Sequence, residues 1–353
     1  MKIVNALLRP VRWFRRGGFI QRRLLFLIPQ IVAVMLISFI MIRLVPGNPA
    51  IQMLGPQAPP ELIERTETKL GLNDSLPEQF FTYVKLTLRG DLGDSWFTSQ
   101  PVRTDIAERL PGTIELMGIS MGLSVLIMIP LGVRAARPKG RLIDKILAQF
   151  IRIYGLLAGS LADFWLALIF IYVFFTTWNI APTPLGALDV DQMRPESVTN
   201  FLIIDSIIAG EWGVLRNYLG HLVGPVLVLM FVYGGPILKI TYVKMTEIED
   251  NPYLQNARVM GLQRKTLNRY ALRNALPPII TTIGVMYGFL LGGAVLVENV
   301  FSINGFGNYG VKAVLEADYA AVQGFLLVSA LFIMFVYLVV DILHAWSDPR
   351  VRL

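Results

Sequence analysis

The chain contains no cysteine and only two histidines, His221 and His344. Disulfide frameworks, thiolate metal sites and cysteine nucleophiles are therefore excluded, and histidine-rich metal centres go with them. Charge is also scarce. Asp, Glu, Lys and Arg make up 16% of 353 residues, against about 25% in a soluble globular domain. There is no G-x-x-x-x-G-K-[ST] loop, because Lys265-Thr266 follows Arg264 and not glycine; the chain cannot cradle ATP phosphates by that device. What is present in excess is apolar surface: 54% of residues are hydrophobic and mean hydropathy is +0.56. These residues fall in long runs, which excludes a soluble enzyme and a disordered or fibrous chain and predicts an all-α bundle in a bilayer.

Leu24 to Ile42 carries no charge and lies between Arg23 and Arg43. At 1.5 Å per residue it is roughly 28 Å long, about the thickness of the hydrocarbon core. It is too long for a signal peptide, and no small-residue cleavage site follows. Further spans are expected at about 114–133, 158–178, 219–240, 277–297 and 321–341, with a helical lead-in from about 141 to the third. That makes six. The layout is an N-terminal segment 1–23, a first span 24–44, an external helical insertion 45–111, a core of five spans over 112–345 that includes the loop 244–277, and a tail 346–353. The second external segment, 179–218, carries an interfacial helix near 200–209.

Orientation follows from where lysine and arginine fall. Residues 1–23 hold seven and no acid, 134–145 hold five against one acid, and 239–275 hold seven against three. Acids prevail in the alternate segments, with nine against six basic residues in 45–111 and five against two in 178–218. Both termini and the two basic loops are thus expected on the cytoplasmic side of the membrane. The net charge of +7 is topological, and nucleic acid is not an expected partner.

Two catalytic look-alikes dissolve on inspection. Gly118-Ile-Ser120-Met-Gly122 matches G-x-S-x-G, but lies inside an apolar helix where the nucleophile elbow needs a strand-to-helix turn and a histidine base. Its glycines read better as a helix-packing step. Gly305-Phe-Gly307-Asn-Tyr-Gly310 matches the dinucleotide fingerprint but follows a membrane span and not a strand, so a glycine-rich turn is the better reading. Gly284, Gly288 and Gly292 form a small-residue stripe for a close neighbour, in this chain or in another.

Ionisable residues at membrane depth are candidates by default. Asp163 opens the uncharged part of the third span, with Arg152 three turns earlier on a similar face, and Glu298 closes the fifth. Each is open to two readings, a helix-end anchor or a place on a translocation path. His221, near an external helix end, reads as structural.

The basic loop 244–277 is the most informative segment. Asn251-Pro252 has the form of a helix start. A short helix follows, then a break at Gly261, then a basic helix from Leu267 to Leu276 before Pro277-Pro278. Such an elbow suits docking, with apolar and small residues for a partner's groove and cations for its acidic rim; a basic helix lying on anionic lipid is the other reading.

At this loop the chain resembles the permease subunits of ATP-binding-cassette importers, whose shared mark is the EAA loop. Gln255-Asn256-Ala257 stands where the general motif reads Glu-Ala-Ala, followed by Arg258-Val-Met-Gly261. Ala271-Leu-Arg-Asn-Ala-Leu-Pro277 is similar to the branch that imports dipeptides, oligopeptides and nickel. So are Arg43-Leu-Val-Pro46-Gly47-Asn48-Pro49 (Asn48 for the usual Asp), Leu70-Gly-Leu72, Arg89-Gly-Asp91-Leu-Gly93, Arg109-Leu-Pro111-Gly-Thr113-Ile-Glu115-Leu, and Glu298-Asn-Val-Phe301-Ser302-Ile-Asn304-Gly305 (Asn304 for the usual Pro).

The resemblance implies a type I importer permease with an extra N-terminal helix, and a transport subunit instead of an enzyme. It implies a path formed with a homologous second permease, and two ATPase subunits that bind ATP and Mg. A periplasmic or lipid-anchored binding protein would supply the substrate. Coupling to the ATPases is assigned to Tyr253, Leu254, Ala257, Arg258, Gly261 and Leu262, and to a second loop at 137–149 with Arg137, Lys139 and Asp144. Asp163 and Glu298 are the path candidates. Peptides are the expected cargo, with nickel chelates, glutathione or another small solute as alternatives. A proton-coupled carrier would be expected to show inverted repeats, which are not evident. An intramembrane hydrolase would need Ser120 and His221 at one depth.

Overall fold

A computed structural model of the chain describes residues 19–44, 48–55, 57–69, 71–136 and 142–347. The regular secondary structure among the described residues is helical, apart from one isolated bridge between Asp94 and Pro101, and irregular loops such as 178–201 connect the helices. Two compact units emerge, Met1–Leu92 with Leu326–Leu353, and Gly93–Phe325. The expected insertion 45–111 is therefore divided, its last part belonging with the core.

In the first unit, α1 (Phe19–Leu44) is the first span. It is followed by α2 (Pro49–Leu54), α3 (Pro60–Lys69) and α4 (Leu76–Leu88). Asn48 caps α2, its Oδ1 accepting from the Ala50 amide at 2.9 Å, while its Nδ2 donates to Glu67 Oε1. An aspartate could make the cap but would set two carboxylates face to face. Phe39 of α1 packs edge-on to Phe80 and stacks on Tyr83 of α4, with the Arg43 guanidinium 3.6 Å above its ring. Capping boxes start α4: Ser75 and Glu78 close on each other across its first turn, as the S-x-x-E spacing requires.

The second unit contains α5 (Val102–Ala135), α6 (Leu142–Ser160) and α7 (Asp163–Phe170), the last continued by a π-helical stretch Ile171–Thr177. Then come α8 (Leu202–Ala209), α9 (Trp212–Glu249), α10 (Pro252–Val259), α11 (Arg264–Val300) and α12 (Phe306–Leu315). The described part of the chain ends with α13 (Tyr319–Ser347), which from Leu326 onward belongs to the first unit. Among the described residues, α1, α5, α9, α11 and α13 are long and apolar enough to span a membrane, and α6 with α7 makes a sixth candidate bent by 106°.

That bend corrects the expected straight span at 158–178. Gly159 and Ser160 are weak helix formers, Ala162 is extended at φ −73°, ψ 135°, and Asp163 opens the next helix in its first turn, where acids are favoured. The supposed common face of Arg152 and Asp163 therefore does not exist.

Helix α9 is the central post, in contact with α5, α6, α7, α8 and α11. Its glycines make this possible. A Cβ on Gly235 would lie 2.3 Å from the Ala158 Cβ of α6, and one on Gly224 would lie 2.8 Å from the Phe170 ring. On α5 the close contact is at Gly132, against Thr241. At Gly118 and Gly122, the expected packing step, an added Cβ would meet nothing within 4 Å among the described residues. In the α11 stripe, Gly284 is buried but Gly292 is exposed; the tight contact belongs to its neighbour Gly293.

Candidate functional site

Helix α10 begins at Asn251, whose side chain accepts from the Tyr253 amide, with Pro252 in the first turn. It ends at Met260, after which Gly261 takes φ +83°. The Gly261 amide donates to Arg258 O at 3.1 Å and the Leu262 amide to Ala257 O at 3.2 Å. This pair of bonds is the Schellman cap, which wants a residue without a Cβ at its left-handed position. Ala257 supplies the carbonyl of the outer bond and Gly261 the left-handed residue, so their spacing of four is that between the C3 and C′ positions of the cap.

Inward, Leu254 is fully buried in a dry cluster with Met245, Leu267, Ala271, Ala275, Ile279 and Ala136, and Ala257 packs on its edge. Arg258 reaches back to Glu249 at 2.5 Å, and Asn274 Nδ2 of α11 donates to the Tyr253 hydroxyl at 3.0 Å. The elbow is held on α9 and α11 by one apolar side chain and two polar ties. Outward, Val259 is 88% exposed and Met260 80%, with Tyr253 and Leu262 also exposed. Val259 and Met260 are absent from the set that the sequence pointed to. Two apolar residues in a row beside a helix-ending glycine, on an otherwise polar segment, were the available signal. Of the second coupling set, Arg137 and Lys139 lie outside the described residues, and Asp144 falls in the first turn of α6, its side chain not described.

At the other end of the unit, where α5 and α9 begin and α11 ends, buried carboxylates act as braces. Glu298 has no exposed surface. Its Oε1 accepts from the Thr113 hydroxyl and its Oε2 from the Asn308 amide at 3.0 Å, so both oxygens are occupied inside the protein. Glu115 accepts from the Ile203 amide at 3.0 Å and the Tyr218 hydroxyl at 2.8 Å. Asp318 accepts from Ser95 at 2.6 Å and from the Ala321 amide at 3.0 Å.

The glycine-rich turn owes its composition to the same braces. A Cβ on Gly305 would meet Glu298 Oε1 at 2.4 Å, one on Gly307 the Val295 backbone at 2.6 Å, and one on Gly310 the Phe325 ring at 2.5 Å. Three glycines in the fingerprint spacing serve packing, with no βαβ unit among the described residues. Ser120, the mock nucleophile, donates to Leu116 O within its own helix. His221 is buried, its Nδ1 3.0 Å from Asn217 O and its Nε2 3.4 Å from Asp189, and ties a loop to α9.

Asp163 sits partly open at the start of α7. Its Oδ2 accepts from the Tyr233 hydroxyl of α9 at 2.8 Å.

The elbow's geometry is matched by kinship. Residues 128–353 match the family described as binding-protein-dependent transport system inner membrane component, and residues 17–117 match its N-terminal counterpart. The chain belongs to this family of inner-membrane permeases. Among similar proteins is the probable D,D-dipeptide transport system permease protein DdpB of Escherichia coli (strain K12), 36% identical over 95% of this chain and 97% of the relative. The dipeptide transport system permease protein DppB of the same strain is 33% identical over 95% and 98%. The di/tripeptide transport system permease protein DppB of Pseudomonas aeruginosa (strain UCBPP-PA14) is 34% identical over 95% and 98%. The permease is therefore a multi-pass inner-membrane transport component, not an enzyme, and works within an ABC transport system.

Proposed function

We propose that this permease is one half of the membrane domain of an ATP-driven peptide importer. The observation that carries the reading is the elbow at 251–262, a rigidly capped short helix that buries Leu254 in the bundle and offers Val259 and Met260 outward. An apolar knob on a braced base transmits force; a lipid-binding helix would instead present its cations and its apolar face together. In this reading Tyr253, Leu254, Ala257, Arg258, Gly261 and Leu262 form and seat the elbow, and an ATPase subunit closes around Val259 and Met260. The segment 137–149, with Arg137, Lys139 and Asp144, is a second contact. ATP and Mg are bound by two partner ATPases, whose closure biases a two-state equilibrium of the bundle. A homologous second permease completes the path, and a binding protein on the far side supplies cargo. Both termini and the elbow face the cytoplasm, in keeping with the lysine and arginine distribution. Peptide as cargo is supported by the names of the relatives above.

The test is co-purification and uptake. Val259→Glu with Met260→Glu should reduce recovery of ATPase subunits with the permease at least tenfold while the permease stays in the membrane. Vesicles holding the complete transporter should accumulate dialanine or trialanine on ATP addition. Uptake of a nickel chelate or glutathione in place of either peptide would refute the cargo assignment. Undiminished ATPase recovery would refute the elbow.

A further inference from the structure

We propose that Asp163 is an ammonium-binding site inside the membrane, holding the free amino terminus of the transported peptide on its way through; this rests on the peptide reading above. The carboxylate opens α7 directly after the 106° bend. Tyr233, which binds it, lies 21 residues into α9, roughly 32 Å along that helix, and Gly293 lies seven residues before the end of α11, roughly 10 Å in. Tyr233 and Gly293 fall inside the expected spans 219–240 and 277–297, and on that ground the site is assigned to the apolar part of the bundle. A partly exposed carboxylate at that depth is costly against lipid tails, and in this proposal its open side faces water or cargo.

The carboxylate is held in place and left unsaturated. A Cβ on Gly293 would lie 2.2 Å from both Asp163 Oδ2 and the Tyr233 hydroxyl, so the two groups rest directly on the α11 backbone. The phenol is oriented by the Phe289 carbonyl at 3.2 Å and donates to Oδ2. Oδ1 accepts only from the Phe164 amide, at 3.2 Å. A carboxylate offers about four acceptor positions, and among the described residues no cation lies within ion-pair distance of this one. Phe164, Trp165 and Phe289 stand exposed on the same elements. Buried braces such as Glu298 have their oxygens occupied and no open surface; Asp163 has a fixed direction, vacant lone pairs and access.

The experiment uses the complete transporter in lipid vesicles with its binding protein, and counts radiolabelled trialanine imported per ATP hydrolysed. Asp163→Asn keeps the shape and can still accept from Tyr233 but loses the charge. It should lower trialanine imported per ATP roughly tenfold, while ATP hydrolysis stimulated by the peptide-loaded binding protein stays within twofold of wild type. Asp163→Glu should restore at least a third of the import. Unchanged import by Asp163→Asn overturns the proposal. So does a parallel loss of hydrolysis and import, which marks a structural role, and so does an Asp163→Glu protein as poor as Asp163→Asn. A wild-type transporter that imports neither trialanine nor dialanine sinks the peptide reading and this site with it, whereas normal wild-type import with an indifferent Asp163 sinks the site alone.

Discussion

Gly261 offers the sharpest test of the elbow, because only its backbone conformation is at stake. A Cβ built there meets no atom within 4 Å, so any cost of substitution comes from φ +83° and not from collision. An ordinary side chain in the left-handed region costs about 1–2 kcal/mol, and a β-branched one sits at the upper end or beyond. If the chain escapes the strain by leaving that conformation, it loses the bonds from Gly261 to Arg258 and from Leu262 to Ala257, each worth about 1 kcal/mol. Either way the capped elbow loses about 2 kcal/mol, which shifts its population by a factor of about 5–30. Asparagine tolerates the left-handed region better than alanine or valine. The order of transport activity should therefore be Gly, then Asn, then Ala, then Val, with Gly261→Val at least fivefold down. Binding-protein-stimulated ATP hydrolysis and peptide uptake would be measured together in vesicles, with immunoblotting to confirm equal insertion. Valine should leave the protein in the membrane, since the Leu254 cluster that seats the helix is untouched. Wild-type uptake by Gly261→Val at normal expression, or an activity order that tracks side-chain volume and places Asn below Ala, would refute the conformational account.

Other outcomes follow from the same contacts. Leu254→Ala should destabilise the seat of the elbow by about 2–4 kcal/mol, seen as accelerated proteolysis within 251–262 in membranes. Gly235→Val must displace the Ala158 methyl that a Cβ would approach to 2.3 Å; overpacking of about 1–3 kcal/mol should lower the melting temperature of the detergent-solubilised protein. Glu298→Leu strands the Thr113 hydroxyl and the Asn308 amide, costing about 1–3 kcal/mol, whereas Glu298→Gln should recover much of the loss in the same melting assay. Asp205 is driven upward by desolvation, but bonds from Thr199, Val198 and Asn200 outweigh this and hold its carboxyl below the usual value. Its contribution is therefore complete above about pH 4 and lost as pH falls through its lower folded value. Thr199→Val should shrink the acid-side part of the pH–stability curve.

Much of the helical layout could be read because apolar runs and cationic flanks are signals carried by single residues. The elbow was legible for the same reason: Asn251-Pro252 starts a helix by local chemistry, and Gly261 ends it by local chemistry. The bend before Asp163 was not legible. Gly159, Ser160 and Asp163 permit a straight span or a break, and the choice falls to tertiary packing, where Ala158 seats against Gly235 of a helix about 75 residues away by sequence. The same holds for glycine roles. Gly118 and Gly122 have the packing spacing yet face open space, while Gly132 and Gly293 touch a neighbouring helix without belonging to a recognisable pattern. Glu298 looked like Asp163 in sequence, an acid at the edge of an apolar run, because hydrogen-bond partners 185 residues away leave no local trace.

The two ends of the second unit are held by different kinds of force, and this bears on how a push at the elbow travels. Around Leu254 the contacts are apolar and largely between aliphatic side chains. Such contacts are non-directional, so helices there can slide by a small step at little cost while staying packed. At the far end Glu298, Glu115 and Asp318 bind hydroxyls and amides, and these bonds weaken steeply once bent out of line. Movement there is costly until a bond breaks outright. On the proposed coupling, a displacement applied through α10 would be taken up first where packing is apolar, with α5, α9 and α11 pivoting about the braced end. Asp163 lies between the two, on a helix joined to its predecessor by a bend and to α9 by the Tyr233 hydrogen bond. Loosening the braces with Thr113→Val, which removes the donor to Glu298 at nearly constant volume, should raise basal ATP hydrolysis and lower peptide imported per ATP, because the pivot then yields with the push. A Thr113→Val transporter with wild-type coupling would mean that the far end moves freely already, and that the stiffness assigned to it is wrong.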